Sequence, residues 1–316
     1  MTSITKKIKI SGVGIHSGLP VDMVLKPSKK PGIFFKRIDI PNSDLISARF
    51  DNVGETLMRN TTIGDTKGAH VQTIEHLMAA LFLVGIDSVV IEINGSETPI
   101  LDGSAFEFYK LFEKIVDGKP NMKKIIVKKT IIARRNELAK QMPFWKRIKT
   151  VILNHTIGRH GNGYVKLSPN DSGLKIDATL VYPDKIIGTQ SYSCVVDESK
   201  KSVKKFVDTI SKSRTFGKYA EWEWLKKHGM GRGANEHNVI ALNEAGDGTM
   251  NKLYYPDEFV RHKIIDALGD MFTSGGFIYG WLQSYKGSHA LNNLVLRKLF
   301  SDKSNYEIIE PKGEKK

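Results

Sequence analysis

Apolar and polar residues alternate through the first 50 positions (IKISGVGI, VDMVL, GIFFKR), broken by Gly, Pro and Ser, which predicts short antiparallel strands. From about residue 71 to 84 the period lengthens to that of a helix, with Ile74, Leu77, Met78 and Leu81 as its apolar stripe and Gly85 as its stop. SVVIEI, 88–93, reads as a buried strand. The turn formers of NGSETPILDGSA make a loop that leads into a second helix at about 105–116. DGKPNMKK, 117–124, interrupts the pattern as a linker does. Beyond it, strands are predicted near 124–133, 164–167, 174–181 and 191–196, with a helix near 199–211. A longer helix covers 257–272, where Val260, Ile264, Leu268 and Met271 share one face. Ser274, Gly275 and Gly276 end it, and FIYGWLQSY follows as a strand.

EHLMAALFLVGIDSVVIEI and RHKIIDALGDMFTSGGFIYGWL share one plan: a helix with small residues, a glycine break, then a hydrophobic strand. Internal duplication of an α+β unit explains this economically, with two similar domains facing each other; chance likeness of two helix–strand units is the alternative. The expected boundaries are 1–120 and 121–305, with 306–316 as a tail.

The polar faces of the two helices are unusual. Opposite the apolar stripe of 257–272, a narrow band carries Phe259, His262, Asp266, Gly269, Asp270 and Thr273, without the Lys and Glu of a solvated surface. His262 and Asp266 are four apart and point the same way. Taken alone, such a pair is a minor helix contact worth roughly 0.2–0.5 kcal/mol. In the first helix, His76 lies among Thr73 and Ala80, with Glu75 about 100° round from it. If the domains are pseudo-symmetric, His76 meets His262 and Asp266. Two imidazoles and a carboxylate form a catalytic zinc ligand set with a fourth position open. Glu75 would then be placed to take a proton from a water in that position. HExxH is absent.

Composition narrows the classes. The 316 residues can bury a large core, and 40% hydrophobic with 26% charged residues suits a globular chain. MTSITKKIKISGVGIH lacks a signal-peptide core, and the longest apolar run, 78–86, is too short to span a bilayer, so a cytoplasmic protein is expected. The single cysteine, Cys194, excludes a disulfide framework and a multi-cysteine zinc module. Net charge is +14, spread over short clusters, and would attract a nucleic acid, an acidic membrane face or a polyanionic small substrate.

GVGIHSG, TIEHLMAAL, INGSETPILDGSA, SRTFG, DEFVRHKIIDALGD and SHALNN, in that order, resemble the UDP-3-O-acyl-N-acetylglucosamine deacetylase (LpxC) family of lipid A synthesis from about residue 7 to 300. The resemblance implies a zinc amidase that releases acetate from UDP-3-O-(hydroxyacyl)-N-acetylglucosamine. It also implies a β-α-α-β sandwich, each domain a sheet with two helices and the helices inside. Motif by motif, His76, His262 and Asp266 match the metal ligands, Glu75 the general base, and His289 the imidazolium that donates to the leaving amine. Asp270 matches the acid paired with that histidine, and Thr215 the residue that stabilises the oxyanion. A neighbouring carboxylate favours the imidazolium, which supports the pairing.

Among substrate contacts, Phe216 and Lys263 match residues near the sugar, Lys286 a cation near the diphosphate, and Tyr182 an aromatic that stacks on uracil. His16 is a candidate for the sugar region. Residues 217–242, with a Tyr219, Trp222 and Leu225 stripe, match an insert that forms an acyl-chain passage, and 55–64 a similar insert in the first domain. Two features depart from the family: the basic stretch 134–163 is longer than expected, and Ser288 stands where glycine is expected. The basic stretch is a candidate contact for the diphosphate or the inner membrane. Iron is an alternative to zinc at such ligands, and a monomer is expected. Two other readings stay open: a basic nucleic-acid-binding protein of paired α+β modules, using Phe34, Phe35, Trp145 and Tyr164, and a zinc amidohydrolase of another substrate.

Overall fold

Alternation in the first 50 residues becomes strands β1 (Ile8–Val13), β2 (Pro20–Pro27) and β3 (Gly32–Arg37) in a computed structural model that describes residues 3–54, 60–116, 122–141, 162–227 and 231–311. β2 and β3 bury every second side chain, as a sheet with one covered face requires: Val21, Met23 and Leu25 on β2, Ile33 and Phe35 on β3. With β4 (Leu45–Ser47) and β7 (Ser88–Ile93) they form a five-stranded sheet of order β1-β2-β7-β3-β4. Short strands β5 (Ile63–Gly64) and β6 (His70–Val71) pair with each other. Within the first 50 residues β1–β2 and β3–β4 pair antiparallel as expected, whereas β3 runs parallel to the later strand β7. The chain reaches β7 through helix α1 (Glu75–Val84), and such a crossover permits parallel alignment.

The second sheet repeats the first. Its path is β9 (Ile131–Arg134), β10 (Tyr164–Ser168), β15 (Phe277–Tyr285), β11 (Leu174–Val181) and β12 (Thr189–Val196). Read in these directions, both sheets pair antiparallel, antiparallel, parallel, antiparallel. In each, the middle strand follows a buried central helix: β7 follows α1, and β15 follows α6 (Glu258–Phe272). A second helix then follows each middle strand, α2 (Phe106–Glu113) after β7 and α7 (His289–Phe300) after β15. The remaining α-helices among the described residues are α3 (Arg135–Gln141), α4 (Lys200–Thr209) and α5 (Tyr219–Lys227), the last lying between strands β13 (Phe216–Lys218) and β14 (Ile240–Leu242).

Several boundaries differ from expectation for identifiable reasons. The segment 124–133 is two strands: β8 (Lys124–Val127) pairs with the start of β15, and β9 with β10. Residues 306–309, expected as tail, are strand β16 (Tyr306–Ile309) on β8, where Tyr306 packs its ring against Phe300 at 4.8 Å. Helix α1 starts at Glu75 instead of near 71, because Thr73 has φ +60°, a left-handed conformation that β-branched residues rarely adopt and that interrupts the helix. Helix α7 was not anticipated, although Leu291, Leu294, Val295 and Leu299 are spaced for one and are buried. Ser288 is its N-cap, accepting from the Leu291 N–H, which gives this serine a local role.

All ten residues of α1 are buried, so both its faces are covered, and α6 is buried except at Arg261 and Lys263. These two helices cross closely because of Gly269: a Cβ there would lie 1.9 Å from the Glu75 carbonyl oxygen. Farther along, Phe82 of α1 stacks on Phe277 at 4.9 Å and meets Phe272 edge-on at 5.4 Å, joining the two halves into one core. No described helix is long and apolar enough to cross a membrane. Residues 117–121 of the expected linker, 55–59 of the first-domain insert, 142–161 of the basic stretch with Trp145, His155 and His160, and His228 lie outside the described residues.

Candidate metal centre and active site

The close crossing at Gly269 sets the first turn of α1 beside the middle of α6, and three potential ligands converge there. His76 Nε2 lies 3.4 Å from Asp266 Oδ1, and His262 Nε2 lies 3.3 Å from the same oxygen. The imidazoles stand at 80° to one another with centroids 5.0 Å apart, and all three residues are buried. Asp266 Oδ1 has no hydrogen-bond partner, whereas Oδ2 accepts from Lys263 Nζ at 2.7 Å. An orphaned buried carboxylate oxygen is costly unless a cation takes the place of the missing donor. A tetrahedral ion with bonds of about 2.0 Å holds its ligand atoms about 3.3 Å apart, so the two nitrogen–oxygen separations suit zinc, and the three ligand atoms all lie within 4.8 Å of one another.

The hydrogen bond behind His262 and the charges agree with that fit. His262 Nδ1 lies 3.1 Å from the Ser213 carbonyl oxygen, which only accepts, so Nδ1 carries the proton and the Nε2 lone pair faces Asp266. Burial pushes His262 down to about 3, overcoming the pull of Asp266 the other way, so the ring is neutral. For Asp266, burial acts upward but His262 and Lys263 outweigh it, and the carboxyl sits well below its usual range. A neutral imidazole and an ionised carboxylate are the forms that bind a cation.

Beside these three residues stand further buried ionisable groups. Glu75 is buried, accepts the Thr61 N–H on Oε2 at 3.0 Å, and is raised above the ordinary carboxylate range, chiefly by burial. His289, the first residue of α7, has Nδ1 2.8 Å from Asp270 Oδ2. Burial works to lower its value, but Asp270, Glu75 and Asp266 prevail and raise it to about 9, so the ring is an imidazolium at neutral pH. Asp270 also accepts Asn292 Nδ2 at 2.8 Å and Thr61 Oγ1 at 2.5 Å.

The turn that starts α1 is clamped. Thr73 donates from Oγ1 to Glu97 Oε1 at 3.1 Å and accepts from Asn60 Nδ2 at 3.1 Å, while its carbonyl accepts from Thr98 Oγ1. Glu97 also accepts the backbone N–H groups of His16 and Ser17. A left-handed threonine costs on the order of 1–3 kcal/mol, and these bonds hold it where it aims Glu75 and His76 inward. On the other side, Glu258 at the start of α6 accepts the Arg214 N–H and Nε at 3.0 Å each, tying the SRTFG segment to the helix that carries His262.

A cavity opens over this cluster. Glu75, His76, His262, Asp266 and His289 line it with Thr215, Phe216, Lys263, Tyr182 and His16. Trp222, Leu225, Val239, Leu242, Ile15 and Ile187 give it apolar lining, so part of 217–242 lines it. Phe216 is 6.2 Å from the His262 ring and 5.9 Å from Tyr182. Lys286 stands apart, with Nζ 5.7 Å from the Tyr285 ring centroid and outside the residues lining the cavity. Thr61, Ser213, Asn292, Glu97 and Glu258 are site residues that the pattern did not reveal. Each acts by a hydrogen bond to a distant partner; Glu97, Ser213, Glu258 and Asn292 lie within the quoted motifs, and Thr61 within the 55–64 insert, but none has a local pattern that marks its role.

The profile of the UDP-3-O-acyl N-acetylglycosamine deacetylase family matches residues 1–301. Proteins named UDP-3-O-acyl-N-acetylglucosamine deacetylase from Neisseria meningitidis serogroup C (strain 053442) and from serogroup A (strain Z2491) are each 34% identical over 313 residues, covering 98% of this chain and 92% of theirs. With the repeated sheets, the close helix crossing and the three converging candidate ligands in place, the family profile and these relatives show that this chain belongs to the UDP-3-O-acyl N-acetylglycosamine deacetylase family.

Proposed function

We propose that the protein is a zinc-dependent amidase that removes the acetyl group from UDP-3-O-(hydroxyacyl)-N-acetylglucosamine, releasing acetate as the committed step of lipid A synthesis. The observation that carries this reading is the His76, His262 and Asp266 cluster with a buried carboxylate and a buried imidazolium on its rim. Those three residues would hold the ion, which supplies Lewis-acid polarisation of the acetamide carbonyl and an acidified water. Glu75 takes the proton from the attacking water. The Thr215 hydroxyl donates to the oxygen on which negative charge develops. His289 then gives its proton to the sugar nitrogen as the C–N bond breaks, and acetate leaves with the amine free. Asp270 keeps that imidazole charged and oriented.

The apolar wall at Trp222, Leu225 and Leu242 suits the acyl chain, and Phe216, Lys263 and Tyr182 suit the sugar and uracil. Lys286 and the basic surface would serve the diphosphate. On this reading the partner is the UDP-acyl-aminosugar and not a nucleic acid, with the chain a cytoplasmic monomer that contacts the inner membrane peripherally; iron could replace zinc. Elemental analysis of the purified chain is expected to find about one zinc per chain. Incubation with the UDP-sugar is expected to release acetate. A chain loaded with metal that leaves the acetamide intact would reject the reading.

A further inference from the structure

Glu75 sits on the first half of the chain and His289 on the second, yet an amide hydrolase needs its base and its acid fixed on one substrate to within a fraction of an ångström. Their bonding converges on one residue. Thr61 is 3% exposed and precedes β5; its backbone N–H donates to Glu75 Oε2 at 3.0 Å, and its hydroxyl lies 2.5 Å from Asp270 Oδ1 and 3.2 Å from His289 Nδ1. Asp270 is the only group of the three to receive donors from three sides: Thr61 on Oδ1, and His289 and Asn292 on Oδ2. Because the Nδ1 proton goes to Asp270 and the carboxylate can only accept, the Thr61 hydroxyl hydrogen points at Oδ1 and its lone pairs face the imidazole. Thr61 does not line the cavity, so it acts on substrate only through its neighbours.

The geometry points to Thr61 as a positioning residue that couples the two proton-transfer groups, its main chain holding Glu75 and its hydroxyl holding the Asp270–His289 pair. This rests on the deacetylase reading above. A carboxylate with two free lone-pair directions can rock about its Cβ–Cγ bond and take the imidazole with it; a donor on each oxygen stops that motion. The backbone bond ties the same loop to the base, so that base and acid shift together when this segment moves.

Thr61→Val keeps the shape and the backbone N–H but removes the hydroxyl, and Thr61→Ser restores the hydroxyl. In the zinc-loaded enzyme, Thr61→Val is expected to lower kcat on the order of tenfold or more with KM and metal content within about twofold, while Thr61→Ser stays within about threefold of the parent. Proton NMR of the metal-free chain gives a second readout. The downfield Nδ1 proton of His289, identified by its loss in His289→Gln, is expected to shift in Thr61→Val and to hold its place in Thr61→Ser. A valine variant with parental kcat and an unmoved His289 proton overturns the assignment. Equal losses in both variants, with lost metal or lowered Tm, overturn it too and leave Thr61 a packing residue. A parent chain that releases no acetate rejects the deacetylase reading instead, and the His289 proton then decides the bridge by itself.

Discussion

Two buried groups 214 positions apart in sequence, Glu75 and His289, face one cavity, and the proposed reaction gives them opposite tasks: one would accept a proton and the other would arrive carrying one. Glu75→Gln keeps the shape and the Thr61 N–H bond but cannot take a proton. It is expected to bind zinc as the parent does and to lose at least about 100-fold in kcat, the usual scale of a general base; normal turnover by this variant would remove Glu75 from the role. His289 makes a prediction about stability. Its value is raised to about 9, so the folded metal-free chain keeps a proton that the unfolded chain gives up near pH 6.5. Its contribution is therefore complete below about pH 6.5 and disappears as pH rises through about 9. Melting the metal-free parent and His289→Gln side by side, the gap in Tm should be wide at about pH 6 and narrow at about pH 10. A gap that does not change with pH would contradict the Asp270–His289 ion pair.

Between elements, the site depends on how closely α1 and α6 approach, and one residue sets that distance. A methyl at Gly269 would overlap the Glu75 carbonyl, which is backbone and cannot swing aside. Gly269→Ala is expected to cost about 2–3 kcal/mol and to weaken metal binding by pushing His76 away from Asp266. Gly217→Ala, where an added Cβ meets nothing within 4 Å, serves as the stability control and should leave Tm nearly unchanged. Parental Tm and zinc content in Gly269→Ala would mean that the helices have slack. The sequence shows this crossing only in part. Periodicity located both central helices and both middle strands, because long amphipathic or uniformly apolar runs express the core directly. It placed the start of α1 too early because Thr73 owes its conformation to Glu97 and Asn60, contacts that no local pattern encodes. It does not predict α7, although Leu291, Leu294, Val295 and Leu299 are helically spaced, nor β16, a four-residue strand held by docking on β8. The ligands were legible because histidine and aspartate on a face of small residues are conspicuous. Thr61 and Ser213 were not, since an ordinary loop threonine and a backbone carbonyl leave no signature.

At the scale of the molecule, the proposed metal centre would join the two halves, which share one sheet plan, as the core does. His76 comes from the first sheet-and-helix unit, and His262 and Asp266 from the second. An ion bound to all three stabilises the assembled pair only, because neither half alone offers the complete ligand set. At a thousandfold excess of free zinc over its dissociation constant, this linkage adds about 4 kcal/mol, on the order of 5–10 °C in Tm for a chain of this size. Chelation should therefore lower Tm by that amount, and zinc should restore it. His76→Ala separates this linkage from any zinc taken up at the surface. It removes the first half's only ligand while leaving the i,i+4 pair on α6, which holds metal weakly, so its Tm should scarcely respond to zinc or chelator. If His76→Ala gained as much from zinc as the parent, the ion would be binding within the second half, and the crossing of α1 and α6 would be no part of the metal centre.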